Sequence, residues 1–193
     1  EQLAKLLDGQ WESAPEPDER VARLEELAEL FQLRLHDPVG AVERYRRLLQ
    51  LGHRPAADRL ASIYRQESMH EDLADLLREQ AEQEPEPEQA AGLWREVGRL
   101  CQEELDDLEL ARQAFERAYD LLPTEQNRDA LLHLLREADD PGRLKEFLIR
   151  SASEAEEPLE RRELLLEHAE LSLTRLDQQA DGLESLREAL EIQ

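Results

Sequence analysis

The chain has little of what most function classes require. It contains one cysteine, Cys101, so no internal disulfide can form. Its five histidines, at 36, 53, 70, 133 and 168, show no metal-ligand spacing with Cys or with each other, and no HExxH is present. There is no glycine-rich phosphate loop and no nucleophile elbow. Carboxylates are abundant, but on helical surfaces they form solvated faces rather than acid–base pairs. No catalytic residue, metal site or cofactor is therefore assigned, and the chain is not expected to be an enzyme. Aromatics make up 4% of the chain, glycines number seven and lysines only two, Lys5 and Lys145. No apolar run approaches the ~18 residues that span a membrane, and no signal peptide is visible. Direct membrane insertion is excluded on this reading, and a cytoplasmic setting is the expectation.

Leu, Ala, Glu and Arg dominate what is present, while β-branched residues are scarce. These are strong helix formers, so the fold class is all-α. The net charge is −23, with 37% charged and 40% hydrophobic residues. That balance supports a core but repels phosphate backbones and anionic lipid, which argues against nucleic acid as a partner.

The sequence repeats. Shifted by 70 residues, "QLAKLL" (2–7) falls on "DLADLL" (72–77), "APEP" (14–17) on "EPEP" (84–87), and "LHDPVGA" (35–41) on "LDDLELA" (105–111). One further residue of shift brings "DLADLL" onto "RLKEFL" (143–148). The stretch "EQEPEPEQ" (82–89) looks like low complexity, yet it is the punctuation between two units. Pro17, Pro87 and Pro158 each stand where a proline can start a helix. Asp37-Pro38, Asp140-Pro141 and Thr124 offer further helix starts, and Gly52 a helix stop. The signals predict helices near 1–12, 18–35, 38–51, 55–66, 70–83, 88–104, 107–121, 124–137, 140–153, 158–175 and 179–192. They divide the chain into a leading segment, 1–17, two double-hairpin units, 18–87 and 88–157, and a partial third, 158–193.

One hairpin carries a recognisable signature, "LWREVGRLCQEELDDLELARQAFERAYDLLP" (93–123). Trp94, Val97, Gly98 and Cys101 fall on the first helix of the tetratricopeptide (TPR) pattern, and Ala111, Phe115, Ala118 and Pro123 on the second. The turn between them is one residue longer than the standard motif. The chain thus resembles a section of a longer, bacterial-type TPR array. The resemblance implies a right-handed solenoid of antiparallel helical hairpins, about eleven helices in all, with residues 1–12 the second helix of an incomplete hairpin. Small residues such as Ala28, Ala61, Gly98 and Ala169 let paired helices approach, while Tyr45, Phe115 and Trp94 fill the space between hairpins. Trp11 packs on a neighbouring turn or on a partner.

The resemblance also implies where function lies: in a concave groove lined by the first helix of each hairpin. The stripe that would face it is Arg95, Arg99 and Gln102 in helix 88–104. It continues as Asp129, His133 and Arg136 in 124–137, as Asp58, Ser62 and Arg65 in 55–66, and as Glu25, Glu29 and Gln32 in the first hairpin. Leu166, Glu170 and Leu173 occupy the last hairpin, with the two leucines expected as an apolar contact. Arg65, Arg95, Arg99 and Arg136, with Gln102 and His133, are the candidate partner-binding residues. Guanidinium groups make bidentate, charge-assisted bonds to carboxylates. The expected partner is a protein or peptide offering an acidic segment or a C-terminal carboxylate. The competing reading pairs the same arginines with acids on adjacent helices. Two other roles stand beside it. One is structural: self-association or end-to-end stacking through uncapped ends, or the spacing of other domains of the same chain. The other is recruitment of a basic partner by an acidic outer face.

Overall fold

The computed structural model describes Trp11 and residues 15–192. Among them are ten α-helices, α1 (Pro17–Leu33), α2 (Pro38–Gln50), α3 (Ala56–Gln66), α4 (His70–Gln83), α5 (Pro87–Glu103), α6 (Leu108–Leu121), α7 (Glu125–Glu137), α8 (Pro141–Glu154), α9 (Pro158–Thr174) and α10 (Gln179–Glu191). No strand occurs among the described residues. The expected helix over 1–12, and with it the incomplete hairpin, lies outside the described residues apart from Trp11. The chain divides into two compact units, one ending at Leu77 and the other beginning at Arg78, so the division falls within α4.

Local chemistry explains the helix starts. Asp37, Thr124 and Asp140 each accept a hydrogen bond from the backbone N–H three residues on, at 2.9, 3.4 and 3.1 Å. Asp107 does the same for Leu110 at 2.9 Å. Each bond satisfies one of the donors that a helix start leaves free. Pro17, Pro87 and Pro158 open α1, α5 and α9, where no N–H is needed. Gly52 follows α2 with φ +84°, a left-handed conformation that glycine adopts without a Cβ clash.

The turns inside the hairpins alternate between two types. In the first, one residue adopts positive φ: His36, Asp106 and Asp177, spaced 70 and 71 residues apart. Two amides then bond back to the preceding helix, Leu35 N to Leu30 O and Asp37 N to Phe31 O. The same pair recurs as Leu105 to Leu100 with Asp107 to Cys101, and as Leu176 to Leu171 with Gln178 to Ser172. The second, shorter type places Ser68 and Asp139 at positive φ, 71 residues apart. Most of these residues are Asp or His, which tolerate that region better than branched or bulky side chains.

In the first unit α1 packs on α2, and α2 on α3. Leu24, Leu27, Ala28, Tyr45, Leu48 and Leu60 are buried there. Gly40 is the contact point: a Cβ at that position would lie 2.3 Å from the Phe31 ring. Arg44 stacks over the Phe31 ring, 3.8 Å from its centroid. Trp11 is half-buried and carries the Arg47 guanidinium 6.0 Å from its ring centre.

In the second unit the pairs are α5 with α6 and α9 with α10, joined through α7 and α8. The glycine arrangement is inverted in α5–α6. There Gly98 lies on the first helix, and a Cβ would meet the Phe115 ring at 2.6 Å. Phe115 is buried, as expected, whereas Trp94 is only half-buried. Tyr119 closes the α6–α8 seam. Its ring meets Phe147 edge-on at 5.0 Å, and its hydroxyl donates to Glu154 at 2.6 Å.

Candidate functional site

Arg95, Arg99 and Gln102 sit at i, i+4 and i+7 of α5, which puts them on one side of that helix. α7 packs beside α5, and the polar side chains between them set the character of this face.

Arg95 is half-buried, and its Nη1 donates to Asn127 Oδ1 at 2.6 Å. Asn127 is fully buried on α7. Its Nδ2 donates to Ala118 O at 3.2 Å and Leu122 O at 2.7 Å, closing the end of α6. With both amide protons committed, only the carbonyl oxygen can face Arg95. Arg95 therefore has an amide partner and no carboxylate. Arg99, one turn on, is exposed and has no ion pair among the described residues. Burial, and then the like charge of Arg99, hold the Arg95 guanidinium below the usual arginine range.

Arg136 differs. Its Nε and Nη2 donate to the two oxygens of Glu167 on α9, at 2.9 and 2.7 Å. Those bonds raise its pKa against the effect of burial. The opposite shifts of Arg95 and Arg136 separate an arginine that lacks a counter-ion from one that has it. Gln102 and His133 converge on one acid: Gln102 Nε2 donates to Glu137, and His133 Nδ1 lies 3.5 Å from the same carboxylate oxygen. Asp129 turns toward Arg128 at 3.8 Å, while Arg128 makes its closer ion pair with Glu160 of α9.

Arg65 is exposed on α3, in the first unit. The α1 stripe of that unit meets its neighbours directly. Glu25 lies 3.5 Å from His53, and Glu29 3.9 Å from Arg59. Gln32 accepts a hydrogen bond from the Tyr45 hydroxyl at 3.0 Å. The apolar contact expected from Leu166 and Leu173 is half present. Leu166 is exposed, but Leu173 lies against Gly182, where a Cβ would be 2.5 Å from its Cγ. Leu173 is half-buried and packs partly inside its own hairpin. Asn127 is the residue of this face that the helical pattern does not pick out. Its only sequence signal is an amide three residues after the Thr124 cap.

No known family model and no curated protein matches the chain. Among solved structures it is similar to a signal transduction ATPase with numerous domains from Pyrococcus horikoshii that carries a tetratricopeptide repeat sensor. Identity is 15% and the TM-score 0.41, over 98% of this chain and 32% of that one. The chain thus spans about a third of that protein's length. On its own architecture it is an all-helical repeat of hairpins. No described helix is long and apolar enough to cross a membrane. No group of three or more His, Cys, Asp or Glu side chains that could hold a metal ion occurs among the described residues.

Proposed function

We propose that the chain is a non-catalytic protein-interaction module. In this reading the exposed face of α5 and α7 receives an acidic segment or C-terminal carboxylate of a partner protein. One observation carries the reading. From α7, Arg128 and Arg136 each reach a carboxylate on α9, but from α5, Arg95 reaches only an amide on α7, beside an Arg99 with no ion pair among the described residues. In a chain of net charge −23, two adjacent guanidinium groups without a carboxylate are a local reversal of sign. A ligand carboxylate laid between them supplies the missing counter-ion through charge-assisted hydrogen bonds. Arg95 is held ready by Asn127, so it loses little freedom on binding. Arg136, His133 and Gln102 are already engaged and contribute only if the ligand displaces Glu167 or Glu137. Arg65 belongs to the reading as a separate contact in the first unit. The repeating element of this reading is the double hairpin, 18–87 and 88–157.

The test is the double change Arg95→Glu with Arg99→Glu. A glutamate-rich peptide with a free C-terminus, labelled for fluorescence anisotropy, serves as the probe. Each charged hydrogen-bonding partner is worth roughly tenfold in affinity or more, so the pair is expected to abolish measurable binding. Far-ultraviolet circular dichroism and the melting temperature should stay unchanged. Binding that survives both substitutions would overturn the proposal.

A further inference from the structure

His168 is a buried polar group with no part in the interaction face. It lies on α9, is 3% exposed, and places Nδ1 2.8 Å from the Ser185 hydroxyl of α10. One hydroxyl partner suits a neutral imidazole, in which one ring nitrogen accepts. Two charges face it. The Lys145 ammonium comes from α8 and the Asp181 carboxylate from α10. Those two are joined to each other, and Lys145 also bonds Gln178. The one carboxylate near His168 is therefore already neutralised. α7 meets α9 through Arg128–Glu160 and Arg136–Glu167, pairs that leave His168 aside. On α9 itself the Ser172 hydroxyl, one turn on, is buried without a hydrogen bond.

A proton added at His168 would thus create a buried cation that the Lys145 ammonium repels, while the one carboxylate acting on it, Asp181, is already paired. We infer that His168 makes the docking of α9 and α10 on α8 sensitive to mild acid: the hairpin is held at neutral pH and loosens as the imidazole takes up a proton. The sign follows from where the proton binds more easily. Burial, and then Lys145, lower the folded pKa from the ordinary 6.5. Below that value the opened form binds the proton first. The stabilisation from His168 is complete above pH 6.5 and is lost as pH falls toward the folded pKa. Because α9 carries Glu167, opening also strips Arg136 of its carboxylate and leaves a further guanidinium uncompensated near the α5–α7 face. That consequence rests on the interaction reading, whereas the acid response itself does not.

The experiment is backbone hydrogen exchange on the 193-residue chain and on its His168→Asn variant, from about pH 7.5 to about pH 5.5, corrected for intrinsic exchange. Amides of α5 and α6 serve as the internal reference. In the natural chain the opening of α9–α10 should rise by up to about tenfold per pH unit below the ordinary histidine pKa, the limit for one proton. In the variant that slope should vanish while the α5–α6 amides behave alike in both proteins. Equal slopes in the two proteins, or an equal response of α5–α6, would overturn the inference. Should the variant fail to fold, nuclear magnetic resonance titration of His168 in the natural chain decides. An imidazole pKa at or above the ordinary value refutes the device. Loss of peptide binding in the Arg95/Arg99 variant, or its absence, leaves this result untouched.

Discussion

Two glycines of α5 show how one substitution takes opposite signs on a single helix. Nothing lies within 4 Å of a Cβ built at Gly92, whereas at Gly98 the Phe115 ring is 2.6 Å away. Gly92→Ala should stabilise the fold by up to ~1 kcal/mol, the helix-propensity difference between the two residues. Gly98→Ala gains the same propensity but must push a buried ring out of place, an overpacking that costs ~1–3 kcal/mol. Urea unfolding monitored by circular dichroism would show the two midpoints moving apart. If both variants shifted the same way, Gly98 would not be the contact that sets the α5–α6 distance. Asn127 illustrates the other limit at this scale. Its side chain is buried and closes the α6 end while holding Arg95, so its role is both structural and electrostatic. Replacing it would disturb both at once, which is why Arg95 and Arg99 are the cleaner probes.

At the scale of helices, the face on α5 and α7 is graded rather than uniform. Among the described residues Arg95 and Arg99 have no carboxylate partner, and Arg136 is covered by Glu167. Glu167→Gln keeps the shape of that contact and removes its charge. On the interaction reading it should tighten acidic-peptide binding several-fold, up to roughly tenfold if Arg136 gains one charge-assisted bond to the ligand. Unchanged affinity in an anisotropy titration would place the ligand away from Arg136. The helices themselves were legible in the sequence because their ends are written in local chemistry. Asp37, Thr124 and Asp140 cap as expected, and Pro17, Pro87 and Pro158 begin their helices. All ten described helices fall within two residues of the expected bounds, the overshoot after α1 ending at the positive-φ turn of His36. The face was legible only in part. Helical spacing places Arg95, Arg99 and Gln102 on one side, but not what stands opposite each. Partners lie 31 to 35 residues away, on the next first helix, and one turn of axial offset decides between an amide and a carboxylate. Leu173 shows a related limit: Gly182 admits part of it into its own hairpin, and the leucine pattern alone does not show that.

The whole molecule sets the conditions under which such a face can work. A chain of net charge −23 repels an acidic ligand at long range, while the two arginines attract it only at close range. Salt separates these effects because the Debye length shrinks from ~30 Å at 0.01 M to ~10 Å at 0.1 M. Repulsion acting over the whole surface is screened first, and the contact itself is screened less. The association rate of the acidic peptide should therefore rise as salt is added over this range. That is the reverse of ordinary electrostatic steering between opposite charges. The dissociation rate should rise more gently, through partial screening of the exposed Arg99. Stopped-flow fluorescence across a salt series reads both rates. A basic partner drawn to the acidic exterior behaves in the opposite way, its association slowing steeply with salt and ignoring Arg95→Glu and Arg99→Glu. An acidic peptide whose association also slowed with salt would mean that local positive potential at the α5–α7 face outweighs the net charge even at a distance. The repulsive term would then have to be dropped, though the two-arginine contact would stand.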